Sequence, residues 1–203
     1  MNARTTLWTA TSTATWRAAL DRYDVVVAAQ GVTRLAELDS WFRRELPALL
    51  RERKPPYVRL DELARLTEWK MARGVWRAPN LVRVKGNPAA LVEQTSHDAL
   101  AKVPHPTAPI AALAALDGVG PATASAVVSA FAPETYPFFD ELVAHQVPGL
   151  GVVAWTLAYY ARYANALRER ATALGSDWTP VMIERALWAE VGGKAGVGRI
   201  RGA

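Results

Sequence analysis

The chain has 203 residues, of which 51% are hydrophobic and 21% are charged, and its formal net charge is +5. This length suits one compact domain with a substantial core, and the composition excludes both a disordered chain and a membrane protein, because no apolar run approaches the roughly 20 residues that span a bilayer. The chain has no cysteine, which excludes disulfides, thiolate zinc sites and cysteine-ligated iron–sulfur clusters.

Helices are predicted for most of the first half of the chain. They cover residues 15–30 up to a stop at Gly31, residues 34–46 with a short restart at Pro47, and residues 61–73 up to Gly74. Between them, residues 54–57 (Lys-Pro-Pro-Tyr) are predicted to be an extended linker, because consecutive prolines cannot lie inside a helix.

The second half continues in the same way. Asn87 followed by Pro88 predicts a helix N-cap and first turn, and Thr179 followed by Pro180 predicts another. The predicted helices cover residues 88–101, 109–116, 121–131, 138–147, 152–174 and 180–191. No segment alternates convincingly enough for a strand, so we expect an all-α fold in which residues 1–203 form a single compact multi-helix domain with two helical lobes.

The two ends of the chain and its charge give further expectations. The first residues lack a signal peptide, which favours a cytoplasmic protein, and we expect a monomer with no membrane partner. Residues 192–203 are rich in glycine and basic side chains and are expected to form a flexible basic tail.

Residues 54–85 hold eight basic and three acidic residues, a net charge of +5 that equals the net charge of the whole chain. This concentration of positive charge favours a polyanionic partner.

The most specific motif covers residues 116–124, Leu-Asp-Gly-Val-Gly-Pro-Ala-Thr-Ala. Two glycines around one small apolar residue allow a tight turn with positive φ angles between two short apolar helices. Such a turn presents unpaired N–H groups and the helix dipole to a phosphate oxygen. We therefore predict DNA-backbone contacts at Gly118, Val119, Gly120, Ala122 and Thr123, the last through its hydroxyl. An ordinary tight turn without a ligand is the simpler alternative.

This motif resembles the helix-hairpin-helix GPD superfamily of base-excision DNA glycosylases, over about residues 110–147. The resemblance implies a DNA-glycosylase-like fold whose hairpin grips the DNA backbone, and an aspartate at the mouth of a base pocket. Asp140 lies 20 residues after Gly120, which suits the family spacing. The family's arginine five residues after the aspartate is unmatched, since His145 stands there. The adjacent Glu141 is the alternative to Asp140, and Asp140 is also a natural helix N-cap.

The resemblance also bears on the type of reaction. Bifunctional members of the family carry a Schiff-base lysine two residues after the second hairpin glycine, and Ala122 stands at that position. The resemblance therefore implies a monofunctional enzyme that hydrolyses the N-glycosidic bond of a damaged or mispaired base. Asp140 would be the catalytic acid that stabilises an oxocarbenium-like state and helps to position water. No cofactor is expected.

A basic, aromatic segment at residues 63–79 is the second candidate site. Trp69 and Arg73 are four residues apart on one helical face, so a cation–π contact is expected. We predict phosphate contacts for the basic side chains Lys70, Arg73 and Arg77. Candidates for stacking on an extruded base are Tyr57, Trp69, Trp76, Tyr136, Phe138 and Phe139. Glu68 and Lys70 are the alternative catalytic groups if Asp140 is structural, and tryptophans in general lie more often in cores.

Three functions remain open at this point. The first is a glycosylase that binds duplex DNA carrying a lesion. The second is a helix-hairpin-helix module that binds DNA without chemistry, and the third is a helical interaction protein whose glycine turn is only structural. His97, His105 and His145 do not have metal-ligand spacing, so no metal is expected.

Overall fold

The structure is a computed structural model that describes residues 7–197. Within this range the chain forms twelve α-helices and no strand, which confirms the predicted all-α class. The helices are α1 (Thr13–Asp21), α2 (Tyr23–Ala28), α3 (Leu35–Ser40), α4 (Leu46–Glu52), α5 (Leu60–Arg73), α6 (Ala78–Lys85), α7 (Ala89–Leu100), α8 (Ala108–Leu113), α9 (Pro121–Phe131), α10 (Glu141–Ala144), α11 (Leu157–Leu174) and α12 (Pro180–Glu190). A 3-10 turn at Leu7–Thr9 precedes α1.

The helices form two groups that share one core. In the first group α12 packs against α1, α2 and α11, so the two ends of the described chain meet. In the second, α5 packs against α3, α6 and α9, and α8 lies between α7 and α9. A single continuous cluster of buried apolar side chains runs through both groups. The chain is therefore one compact helical domain, as predicted from its length.

Helix α5 is central to this core and forms where the sequence predicts it. The Glu62 side chain accepts a hydrogen bond from the Arg59 main-chain N–H at 2.9 Å, which satisfies a donor at the helix start. Its apolar side chains Leu63, Leu66 and Trp69 are fully buried. The helix ends at Arg73, before Gly74, as expected.

In the first half, two predicted boundaries are wrong. The helix expected over residues 15–30 breaks at Arg22 into α1 and α2. The stop expected before Pro47 is absent, because a π-helical segment at Trp41–Glu45 joins α3 directly to α4. In this segment the Leu46 N–H reaches back five residues to the Trp41 carbonyl, and Pro47 falls in the first turn of α4, where its missing N–H costs little.

The prediction that Asn87 caps α7 is wrong, because the Asn87 side chain bonds to Asp117, which is distant in the sequence. Asn87 is not the N-cap of α7, a position that Pro88 occupies. Its side chain instead accepts the Asp117 N–H at 3.0 Å and donates to the carbonyls of Asp117 at 3.0 Å and Val84 at 2.9 Å. Asn87 thus ties the end of α6, a helix that the sequence did not predict, to the turn before Gly118.

Three more expectations change towards the C-terminus. The helix predicted over residues 138–147 is only the short α10, and the one predicted from residue 152 begins at Leu157, where the Thr156 hydroxyl accepts the Tyr159 N–H. A flexible tail does not fit residues 192–197, which form turns held by hydrogen bonds between Gln30 and both Gly192 and Ala195. Residues 198–203 of that tail lie outside the described range. Among residues 7–197, no helix has the length and apolarity needed to cross a membrane.

Candidate functional site

A cavity of about 340 Å³ lies between α5, the start of α9 and the segment before α10. This volume falls in the range of roughly 300–1,000 Å³ that is typical of ligand pockets. The cavity brings together residues from both sequence-predicted sites and from the C-terminal turns. It is lined by Lys70, Met71, Arg73, Gly74, Val75, Arg77, Asn80, Gly118, Gly120, Pro121, Ala122, Phe138, Phe139, Asp140, Glu141, Leu142, Trp155 and Lys194.

The glycine turn forms one wall, and its two glycines have different roles. Gly118 has a φ of +74°, and a Cβ there would lie 2.6 Å from the Asn80 carbonyl oxygen of α6. Glycine is thus required at position 118, because the backbone there is left-handed and because α6 leaves no room for a side chain. Gly120 has a φ of −99°, so the positive φ predicted for it is wrong, and a Cβ there would meet no atom within 4 Å.

The start of α9 supplies free main-chain donors at the cavity. Among the described residues, the N–H groups of Gly120 and Ala122 have no acceptor, and no side chain caps this helix. Free N–H groups and the helix dipole suit an anion.

Two of the residues predicted to contact the DNA backbone, Val119 and Thr123, are not placed to do so. The Val119 N–H donates to the Leu116 carbonyl and its side chain is buried. Thr123 is also buried, and its hydroxyl, without a partner, has no access to a surface phosphate.

The segment that leads to Asp140 is fixed by three hydroxyl groups. The Ser125 Oγ of α9 accepts the Phe139 N–H at 2.9 Å and donates to the Ala122 carbonyl at 2.8 Å. From α11, the Tyr163 hydroxyl donates to the Phe138 carbonyl at 2.7 Å and the Tyr160 hydroxyl to the Pro137 carbonyl at 3.2 Å. These bonds hold the residues before Asp140 against α9 and α11.

Replacing Ser125 with alanine is expected to destabilise the protein by about 1–3 kcal/mol, because the buried Phe139 N–H would lose its acceptor. Urea unfolding measures this change. Ser129 is the matched control, since it lies one turn further along α9 and its hydroxyl only donates to the Ala126 carbonyl. Ser129→Ala is expected to cost less, and equal losses for the two variants would contradict this role of Ser125.

Asp140 is both a helix cap and a buried acid. Its Oδ1 accepts the N–H groups of Leu142 at 2.8 Å and Val143 at 3.3 Å, while its Oδ2 lies 3.8 Å from the Arg73 Nε. Burial raises the pKa of Asp140 above its usual value, although Arg73 and the two N–H groups act in the opposite direction. Only Oδ1 takes part in the cap, so Oδ2 is available for a second role.

Arg73 lies in the core beside Asp140 and forms a hydrogen-bonded ion pair with Glu184 of α12. Rings of Trp188, Phe138, Trp69 and Tyr23 surround its guanidinium, with centroids 4.6–5.7 Å away. The expected cation–π contact with Trp69 is therefore present. The predicted phosphate contact is wrong, because Arg73 is only 2% exposed. Burial raises the pKa of Glu184 to about 7, so two acids compete for one buried cation.

Lys70, one turn before Arg73 on α5, is the partly buried amine of the cavity. Among the described residues it has no hydrogen bond or ion pair. Burial, with a contribution from the charge of Arg77, lowers the pKa of Lys70 to about 8. Arg77 is exposed and lines the same cavity. Both residues therefore line the same cavity as the glycines of the turn.

Three of the predicted base-stacking aromatics lie away from the cavity. Trp69 is fully buried and stacks on Phe42 with centroids 3.7 Å apart. Tyr136 is fully buried and its hydroxyl donates to the His105 carbonyl. Tyr57 packs under Arg53 and is not among the lining residues. Stacking on a base does not fit Trp69 and Tyr136, because both rings are buried in the core, and Tyr57 is half-buried away from the cavity.

The other aromatic candidates lie at or near the cavity. Phe138 and Phe139 line it, although both are almost entirely buried. Trp76 is 57% exposed and lies between the lining residues Val75 and Arg77. Trp155 is not among the residues that the sequence predicted for the site. It is 45% exposed and lines the cavity, and its ring centroid lies 4.8 Å from that of Phe139. The sequence does contain one signal for this position. Thr156 is a residue type that favours the N-cap, and a helix that begins after Thr156 leaves Trp155 outside it.

The remaining acidic candidates differ in position. Glu68 does not line the cavity, and its carboxylate pairs with Arg34 at 3.6 Å and Lys85 at 3.5 Å, so its predicted alternative role in catalysis does not fit. Glu141 is exposed and lines the cavity beside Asp140. In residues 7–197, no group of three or more acidic or histidine side chains is placed to hold a metal ion.

Comparisons with known proteins identify no relative for this arrangement. A scan against protein-family models, a search of curated proteins and a search of solved structures each found no match to the chain.

Proposed function

We propose that this chain is a DNA-glycosylase-like protein that binds duplex DNA carrying a lesion and hydrolyses the N-glycosidic bond of the damaged or mispaired base. The observation that carries the proposal is the cavity itself. It places the free donors of α9, the basic side chains of Lys70 and Arg77, and the buried acid Asp140 around one space.

The start of α9 supports the binding half of this proposal. The N–H groups of Gly120 and Ala122 are free, and the exposed Gly120 leaves room for a phosphate to approach the backbone. Arg77, which lines the same cavity, adds a positive charge. In this role the turn acts as a helix-hairpin-helix motif that grips the DNA backbone without reading its sequence.

Asp140 supports the chemical half. Departure of the base leaves positive charge on the sugar, and a carboxylate held at the cavity stabilises this charge and orients the attacking water. The bonds to Leu142 and Val143 fix the Asp140 side chain in advance, so little reorganisation is needed during the reaction. Trp155 and Trp76 offer exposed ring faces for an extruded base.

Replacing Gly120 with aspartate tests the backbone-binding role. Gly120 is the N-cap residue of α9 with extended backbone and open space at its Cβ, so an aspartate is expected to cap the helix and leave stability unchanged or raise it by up to about 1 kcal/mol. The same carboxylate would occupy the free Ala122 N–H and repel phosphates. We expect at least a tenfold loss of DNA affinity by fluorescence anisotropy, roughly 1.4 kcal/mol.

Gly120→Asn is the matched control, because asparagine caps as well as aspartate but adds no charge. Its affinity should fall between those of the wild type and Gly120→Asp. If Gly120→Asp folds and binds DNA as tightly as the wild type, the start of α9 is not a phosphate site and the glycine turn is structural.

A further inference from the structure

A second cavity, of about 210 Å³, lies between the π-helical segment, α4, the end of α9 and the start of α12. Among the described residues it shares only Arg73 and Phe138 with the cavity of the candidate functional site, so it is a separate space. Its charged lining consists of one acid, Glu184, and four arginines, Arg43, Arg51, Arg73 and Arg185. The proposed glycosylase reaction does not explain the charge of this arginine cavity.

Two of the four arginines are compensated by acids of the fold. The Arg73 guanidinium forms a hydrogen-bonded ion pair with Glu184. The Arg43 Nε donates to the Asp39 Oδ2 at 2.7 Å, and another nitrogen of Arg43 pairs with Asp24. Within residues 7–197, the other two arginines have neither a hydrogen bond nor an ion pair.

Arg185 of α12 is the uncompensated arginine that the fold holds half-buried. Its guanidinium carbon lies 5.9 Å from the centroid of the Tyr23 ring, at the outer limit of a cation–π contact. Burial, together with the charge of Arg43, lowers the pKa of Arg185, although Glu184 and Asp39 act in the opposite direction. A partly desolvated cation without a partner destabilises the folded chain, and an anion bound in the cavity would remove this cost.

Two further groups at the arginine cavity favour an anion. Arg51 of α4 is exposed, and because it has no partner among the described residues, its guanidinium is free to reach a ligand. At the start of α12, the Thr179 hydroxyl accepts the Met182 N–H, while the Val181 N–H has no acceptor in residues 7–197. A free N–H at the positive end of a helix suits a phosphate oxygen.

We propose that the arginine cavity is a binding site for a phosphomonoester group, which Arg185 and Arg51 contact through their guanidinium N–H groups. This inference goes beyond the proposed function and does not depend on it. A phosphomonoester carries about two negative charges near neutral pH, which matches two unpaired arginines, whereas a phosphodiester of the DNA backbone carries one. The planar guanidinium also matches the geometry of phosphate oxygens.

The size and the apolar part of the lining limit what can carry this phosphate. The volume lies below the range of roughly 300–1,000 Å³ that is typical of pockets for larger ligands. Phe42, Pro47 and Met182 are among the lining residues and offer apolar surface beside the charged groups. The ligand is therefore a compact group, a phosphate with a small apolar or aromatic body.

Titration calorimetry with phenyl phosphate near pH 8 tests this proposal. We expect saturable binding by the wild type, and binding of dimethyl phosphate, a diester with one charge, that is weaker by roughly tenfold or more. Arg185→Gln should lower the affinity for phenyl phosphate by a similar factor of about ten, because it removes the unpaired charge. In urea unfolding without ligand, Arg185→Gln should be at least as stable as the wild type, which an arginine with a structural role would not be.

Arg44→Gln is the matched control, since Arg44 is exposed and lines neither cavity, and it should bind phenyl phosphate as the wild type does. Arg51→Gln alters an exposed side chain, so the fold is not at risk, and it should weaken binding about threefold or more. This second variant keeps the proposal testable if Arg185→Gln does not fold.

A short DNA strand with a 5′ phosphate, compared with the same strand without it, distinguishes two sources of the group. A gain in affinity from the 5′ phosphate that Arg185→Gln abolishes would assign the site to a strand end, and no gain would assign it to a small molecule. Three results would overturn the proposal: no saturable binding of phenyl phosphate, equal binding of dimethyl phosphate, and undiminished binding in the arginine variants.

Discussion

Asp140→Asn is expected to lower the rate of base excision by about 10²- to 10⁴-fold, the usual contribution of a positioned acid or base. Asparagine keeps an oxygen that can accept the N–H groups of Leu142 and Val143, so the cap of α10 is preserved. It removes the negative charge that stabilises the developing cation. The measurement is excision from duplexes that each carry one damaged or mispaired base, with the wild type identifying the substrate.

Two companion measurements make this result specific to Asp140. Binding of an abasic-analogue duplex by Asp140→Asn should stay within a factor of about three, since the free donors of α9 are unchanged. Glu141→Gln is the matched variant, because Glu141 is the neighbouring acid and also lines the cavity. Loss of excision in Glu141→Gln but not in Asp140→Asn would show that Glu141, and not Asp140, is the catalytic acid. Full activity in both variants would contradict a catalytic acid in this cavity.

Arg73→Met is expected to lower the free energy of unfolding by about 3–5 kcal/mol, the typical cost of removing one partner from a buried ion pair. Methionine fills much of the space but leaves Glu184 and Asp140 buried with no cation between them. Urea unfolding of Arg73→Met measures the loss. Arg77→Met is the control, because Arg77 is exposed, and it should change stability by no more than about 0.5 kcal/mol.

The loss in Arg73→Met should also depend on pH. Without Arg73 the pKa values of Glu184 and Asp140 rise further, so the folded protein holds protons that the unfolded chain releases above about pH 4.5. The unfolding free energy of the variant therefore falls, relative to the wild type, as pH rises from 5 to 8. A second substitution, Glu184→Leu, should restore part of the stability. A loss below 1 kcal/mol at every pH would contradict the buried ion pair.

The elements that the sequence predicts well depend on local chemistry. Pro121 at the first turn of α9, Gly74 after α5 and Thr179 before α12 act through their own backbone and its nearest neighbours, and the structure has all three. Asn87 has the same local pattern but does not cap α7, because Asp117, 30 residues away, offers its side chain both a donor and an acceptor. No local signal contains that information.

In the candidate site, too, the local sequence predicts some features, while others depend on residues that are distant in the sequence. Lys70 and Arg73 are both basic residues of one helix, and the sequence alone assigned both to phosphates. Both line the cavity, but Arg73 is buried in an ion pair with Glu184, 111 residues later, whereas Lys70 meets no acid among the described residues. Trp155 lies at the cavity because α11 begins later than its apolar pattern suggests. Partners distant in the sequence thus decided which of these side chains remain unpaired at the cavity.

Binding of DNA at a lesion by this cavity is tested most directly by a comparison of two duplexes. One contains an abasic-site analogue, the other is undamaged, and binding to each is measured over a salt series. We expect a clear preference for the analogue, with affinity for both duplexes rising as salt falls, because phosphate contacts release counterions. Equal binding to both duplexes would reduce the chain to a DNA-backbone module. The absence of binding even at low salt would contradict the account and leave the glycine turn with a structural role alone.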